Sequence, residues 1–154
     1  MNFAETIKHK NIKVCFNAST IQFMQADFVN KLLTKFREHR LAPNSVVLEI
    51  TESCFYGRID EMKEKLELVR NAGILVSIDD FGTGYSSLSY LKDLPADYLK
   101  IDRSFFSDIE SSEKQQAIIS SIAAVAEALD ITVIAEGIEN KEQLGIIITQ
   151  TNCQ

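Results

Sequence analysis

Two carboxylates stand side by side at Asp79-Asp80, after the apolar run Gly73-Ile74-Leu75-Val76-Ser77-Ile78 and before the loop Phe81-Gly82-Thr83-Gly84. Adjacent acids at the end of a buried segment repel each other unless they share a cation. Successive side chains of a strand leave on opposite sides, so the pair can face one metal each or divide two roles. Four further apolar segments end in, or carry near their end, a group able to bind a metal or move a proton: Asn17, Glu49, Lys100 with Asp102, and Glu136. Glu49 and Lys100 are the sharper cases, because apolar residues flank each of them in Leu48-Glu49-Ile50 and Leu99-Lys100-Ile101. A charge buried without a partner in such a place costs several kcal/mol or titrates away. The set has two readings: buried ion pairs that only stabilise one end of the fold, or a divalent-metal centre. An all-oxygen donor set without His or Cys points to Mg²⁺, Mn²⁺ or Ca²⁺ and away from Zn²⁺.

Five segments have to carry these ends. Residues 12–16, 46–50, 74–78, 98–101 and 131–135 are short apolar runs, each expected as a strand. Between them, residues 27–40 place Phe28, Val29, Leu32, Leu33 and Phe36 on one helical face, and Pro43 and Asn44 stop that helix. Residues 59–72 repeat the pattern with Ile59, Met62, Leu66 and Val69, and Gly73 ends it. A short helix carrying Leu88 and Leu91 is expected after Ser86 and Ser87. Ser112 with Gln115 resembles a capping box and opens the longest helix, with Ile118, Ile122, Val125 and Leu129 expected inward. Asn140 can cap a last helix containing Leu144, Ile147 and Ile148, and residues 1–10 read as the tail of a helix.

Five strand-then-helix units in succession predict an α/β fold with a parallel sheet covered by helices. An open doubly wound sheet would be expected to carry a Gly-rich phosphate turn after an early strand, but Asn17-Ala18-Ser19 has no Gly. A partial TIM-like (β/α) barrel fits better, since its parallel strands deliver all their C-terminal ends to one face.

A chain of 154 residues with 45% apolar content can bury a core and fits one domain. Its net charge of −6 argues against a nucleic-acid polymer as partner, which needs a basic surface. An anionic small substrate stays possible if metal ions reverse the local sign. Cys15, Cys54 and Cys153 are odd in number and form no Cys-x-x-Cys pair, which favours reduced thiols and a cytoplasmic setting. His9 and His39 have no metal-site spacing and read as surface residues. No apolar run has the length of a membrane span, and the N-terminus lacks the apolar core of a signal peptide, so no membrane contact is expected from this segment.

Taken in order, Asn17, Leu48-Glu49-Ile50-Thr51-Glu52, the stretch from Ile78-Asp79-Asp80-Phe81-Gly82 to Leu88, Leu99-Lys100-Ile101-Asp102 and Ala135-Glu136-Gly137-Ile138-Glu139 resemble the EAL-domain family. That family comprises bacterial phosphodiesterases that open cyclic di-GMP to the linear dinucleotide pGpG, on a modified TIM barrel. The resemblance implies a two-metal site for Mg²⁺ or Mn²⁺. In it Asn17, Glu49 and Asp79 look like ligands of the first ion and Asp80 like a ligand of the second. It makes Lys100 similar to the lysine that orients the attacking water. Glu136 matches a metal ligand and proposed general base, with Glu139 an acidic partner nearby and Asp102 an outer one. Glu52 resembles the anchor of the Asp-Asp-Phe-Gly loop, which the family links to dimerisation, so a homodimer through the loop after Asp80 is implied.

The Glu-Ala-Leu signature is absent before Asn17, and Glu127-Ala128-Leu129 reads as ordinary helix composition. The family's downstream Gln-Gly-Tyr strand is absent as well. Residues 1–154 are therefore expected to form one incomplete domain lacking the first and last strands, about three of the eight. Three functions stand as expectations: a cyclic di-GMP phosphodiesterase, weak or inactive as this chain alone; a degenerate EAL module that binds cyclic di-GMP or a protein partner; or an inert fragment.

Overall fold

A computed structural model describes residues 12–55, 57–82 and 91–150. The helix-tail reading of residues 1–10 and the residues His9, Thr83–Leu88 and Cys153 lie outside them. The described strands are β1 (Val14–Ala18), β2 (Val46–Thr51), β3 (Leu75–Phe81), β4 (Tyr98–Ile101) and β5 (Thr132–Ala135). The α-helices described from end to end are α1 (Thr20–Phe23), α2 (Phe28–Glu38), α3 (Ile59–Asn71), α4 (Glu113–Ala128) and α5 (Lys141–Gln150), with 3-10 turns at Glu52–Phe55 and Arg103–Phe105.

All pairings are parallel, and the strand order is β1-β2-β3-β4-β5. Nowhere does the order reverse, as it must in a doubly wound sheet, so the unit is a run of successive barrel strands. The described sheet is not closed; β1 and β5 are its edges.

Apolar alternation splits each strand between two environments. Leu48, Ile50, Val76, Ile78, Leu99, Ile101 and Val133 are buried under the helices. Phe36, Met62, Leu66, Val69, Ile122, Ala126 and Ile147 meet them from the helix side. The opposite face of the sheet holds the chemistry, because Asn17, Glu49, Ser77, Tyr98 and Thr132 occupy successive register positions along one row.

Several helix faces depart from the periodicity. On α4 the inward residues are Ile119, Ile122, Ala123 and Ala126, whereas Ile118, expected inward, is 40% exposed. The small residues Ala123 and Ala126 let the helix approach β5 along a stripe that an aliphatic count passes over. On α5 Ile147 is buried, but Leu144 and Ile148 are exposed. The caps are as expected: Ser112 Oγ accepts the Gln115 N–H at 3.2 Å, and Asn140 Oδ1 accepts the Gln143 N–H at 2.9 Å.

Candidate active site

The C-terminal ends of β2 to β5 meet at one ammonium. Lys100 Nζ lies 2.8 Å from Glu136 Oε1, 3.1 Å from Asp79 Oδ1 and 3.4 Å from Glu49 Oε1. Four strands thus supply one cluster, as parallel topology requires. Its members differ in burial: the side chains of Lys100, Glu49 and Asp79 are 11%, 10% and 14% exposed, that of Glu136 40%.

Burial by itself pulls the Lys100 pKa down. Hydrogen bonds to Glu136 and Asp79, with the charges of Asp79 and Glu49, outweigh it and carry the pKa above the usual lysine range. Those partners favour the charged form of Lys100, a donor to the acids around it.

The β3–β4 ladder breaks its register between Ile78 and Phe81, and Asp80 adopts a left-handed backbone at φ 55°. Asp tolerates that conformation better than most non-glycine residues. The Asp80 N–H donates to Asp79 Oδ1 at 3.0 Å. Partial burial raises the Asp80 pKa, and the nearby charges of Asp79, Asp102 and Glu136 raise it further. The bulge thus keeps both acids of the pair within one field of negative charge instead of sending them to opposite sides. A reading by strict alternation does not contain it.

Glu52 is buried, and its Oε2 accepts the Gly82 N–H at 3.1 Å. Gly82 sits at φ 97°, and a Cβ there would come within 2.3 Å of the Phe105 ring. Only glycine fits both the conformation and the space. The rest of that loop, with its implied dimer contact, lies outside the described residues.

Asn17 is exposed and pairs in register with Glu49, which places it beside the cluster on the edge strand. Asp102 caps the turn after β4: its Oδ1 accepts the Ser104 N–H at 3.0 Å, and hydrogen bonding to Ser104 holds its pKa below the usual range. Glu139 is exposed in the turn after β5, where its backbone N–H donates to Gln143 Oε1; it is not among the groups that close on Lys100.

Two neighbours of the cluster carry no acid. Cys15 lies on the same face, and burial, the Glu49 charge and a hydrogen bond to Glu49 raise its thiol pKa. Ser77, in register with Glu49, is buried, and its Oγ has no hydrogen-bond partner among the described residues.

The donor chemistry suits a hard divalent cation. Glu49, Asp79, Asp80 and Glu136 offer only oxygen; three of them close on the ammonium of Lys100, and Asp80 lies within the field of Asp79 and Glu136. Burial first, and then the charges of Asp79, Asp102 and Glu136, raise the Asp80 pKa. Among the described residues no three acidic, thiol or imidazole side chains form a ready metal cage, and Lys100 Nζ occupies the point where three carboxylates meet. No described helix is long and apolar enough to cross a membrane.

Comparison with known proteins identifies the family. The family model described as EAL domain matches residues 2–149. Cyclic di-GMP phosphodiesterase NbdA of Pseudomonas aeruginosa is 38% identical over 146 residues, which is 95% of this chain and 18% of NbdA. The chain thus spans about a fifth of the length of the curated relatives it matches. Among solved structures, the EAL domain of Mycobacterium smegmatis DcpA superposes with a TM-score of 0.87 at 35% identity, over 99% of this chain and 69% of that one. The manganese and cyclic di-GMP complex of Klebsiella pneumoniae BlrP1 gives 0.84 at 31% identity, over 97% of this chain and 38% of that one.

Proposed function

We propose, for a chain that belongs to the EAL domain family, that it forms the central part of a divalent-metal-dependent phosphodiesterase that opens cyclic di-GMP to pGpG. The observation that carries the proposal is the closure of Glu49, Asp79 and Glu136 on Lys100 at one end of the parallel sheet. The relative NbdA bears that activity in its name, and BlrP1 was solved with manganese and cyclic di-GMP.

In this reading Asn17, Glu49, Asp79, Asp80 and Glu136 would hold Mg²⁺ or Mn²⁺. When bound, such ions supply Lewis acidity, lowering the pKa of water and offsetting charge on a phosphoryl oxygen. The chain's own residues do the rest. Lys100 donates from Nζ to orient a water oxygen. Glu136 is the most solvent-accessible carboxylate on that ammonium and accepts the proton. In-line attack of the water oxygen on phosphorus then breaks the P–O3′ bond, and the ribose 3′ oxygen leaves as a hydroxyl with a proton from solvent. The loop fixed by Glu52 and Gly82 leads to a homodimer contact, and the free thiols Cys15 and Cys54 suit a cytoplasmic setting.

The test is pGpG release, with Mg²⁺ or Mn²⁺, by the longer protein that includes this segment and its flanking strands. Turnover abolished by Asp79→Asn supports the reading; no turnover, or turnover indifferent to that change, overturns it.

A second reading is a non-catalytic EAL module that binds cyclic di-GMP or a protein partner. One observation favours it: Lys100 stands among the carboxylates, and no ready cage exists among the described residues. Calorimetry showing cyclic di-GMP binding without product over hours would select this reading over the first.

A further inference from the structure

We propose that Gln143 is a positioning residue for Glu136, holding its carboxylate on Lys100 by tying the turn after β5 to the loop after β4. The inference rests on the reading above, in which Glu136 takes part in the reaction. Glu136 differs from the other acids on Lys100. Its side chain is 40% exposed, so burial does not fix it, and it lies one residue beyond the end of β5. Its backbone N–H donates to the Ile101 carbonyl at 3.3 Å. Residues 137–140, the turn between Glu136 and α5, are irregular.

That turn is held from its far side. The Gln143 side chain is buried, with its Oε1 accepting the Glu139 N–H at 2.8 Å and its Nε2 donating to the Phe106 carbonyl at 3.2 Å. One end of the amide holds the β5 turn and the other holds the β4 loop. The partners fix its orientation, because a backbone N–H can only donate and a carbonyl only accept. No carboxylate can replace both ends, and no apolar side chain replaces either. Asn140 adds a second strut, donating from Nδ2 to Glu110 Oε1 at 2.8 Å while its Oδ1 accepts the Gln143 N–H. The two loops also touch at Gly137, where a Cβ would meet Arg103 Cβ at 2.6 Å. The turn has a single seat, and Gln143 is the buried group that keeps it there.

The experiment uses the longer metal-loaded protein containing this segment. It compares Gln143→Met, Glu136→Gln and the double variant with the parent for kcat and KM. Hydrogen exchange is measured in the metal-free proteins. Gln143→Met is expected to lower kcat about tenfold to a hundredfold with KM within about twofold, the scale of effect that a misplaced catalytic group produces. The double variant is expected to be no slower than Glu136→Gln, because the bridge acts through Glu136. The Glu139 amide should exchange at least about tenfold faster while β2 and β3 keep their protection, as for a local opening.

Additive losses in the double variant, an unchanged kcat, or exchange rising evenly through β2 and β3 would each overturn the proposal. If Glu136→Gln itself leaves kcat untouched, the functional reading fails and the positioning role fails with it. The Glu139 amide then reports separately whether the bridge exists.

Discussion

β2 and β3 bring acids to Lys100 by burial, whereas the turn after β5 brings one by hydrogen bonds. In β2 every residue from Val46 to Ile50 is buried, and Glu49 lies between Leu48 and Ile50, which are 0% and 1% exposed. Its position follows from where the apolar neighbours must go. Glu136 has no such walls; its place depends on Gly137, Gln143 and Asn140. A net hydrogen bond is worth about 1 kcal/mol, and a fully buried aliphatic side chain about 1.5–3. One side of the site is therefore set rigidly with the core, and the other is tuned by a few bonds that can be removed singly.

The largest effect is expected where both sides meet. Lys100→Met removes the one ammonium that three strands converge on and leaves the Glu49, Asp79 and Glu136 carboxylates facing each other. Turnover in the longer protein should fall by a factor on the order of 10²–10⁴, the scale of a lost proton-positioning group. Folding of the metal-free variant should weaken by roughly 1–3 kcal/mol, less than for a fully buried pair because Glu136 is partly exposed. Mn²⁺ should then raise the melting temperature more in the variant than in the parent. An equal rise in both would break the view that the site carries surplus negative charge.

The next test compares the two sides directly. Leu48→Ala, at a residue 0% exposed under the helices, should cost about 2–5 kcal/mol in urea unfolding. Ile134→Ala, on the half-buried inner face of edge strand β5, should cost about 1 kcal/mol or less. Similar costs would mean that the edge is as firmly held as the centre.

The same division decides what the sequence made legible. The β2 and β4 bounds and the faces of α2 and α3 follow from apolar periodicity, because a strand paired on both sides leaves little freedom. Edge strand β1 runs Val14–Ala18, two residues later than its apolar run suggests. Its start is set by the Val14 N–H bond to the Ser45 carbonyl and by pairing with β2, neither of which is visible locally. Glu49, Asp79, Lys100 and Glu136 were legible as polar ends of apolar runs, and the sheet brings them together. The bulge at Asp79-Asp80 was not, since it arises from β3–β4 pairing. Gln143 was not either: one amide on an amphipathic helix looks like a surface residue until Phe106 and Glu139 are placed around it. Ser19 and Gln22 do carry a capping-box signal, but their helix is four residues long and has no period to read.

Gly82→Ala tests the join between the two sides. The added Cβ must displace the Phe105 ring, 2.3 Å away, or pull Gly82 off Glu52, and its φ of 97° is strained for alanine. A loss of about 1–3 kcal/mol is expected. Glu52→Gln should cost less, because an amide oxygen still accepts the Gly82 N–H. Equal losses would mean that the Glu52 charge, and not its acceptor, holds the loop.

The smallest effect isolates the hydrogen-bonded side alone. The Glu110 pKa is lowered chiefly by the hydrogen bond from Asn140. A carboxyl whose folded pKa is depressed contributes stability above its unfolded value, and that contribution is lost as pH falls through the folded value. Glu110 should therefore support the β5 turn at neutral pH and release it only on the acid side of the usual glutamate range. Asn140→Ala should return the Glu110 titration, monitored by NMR, toward that range. It should also flatten the acid limb of stability without changing β2 or β3 exchange protection. If Glu110 titrates identically in both proteins, the Asn140 strut carries no weight, and the turn depends on Gly137 and Gln143.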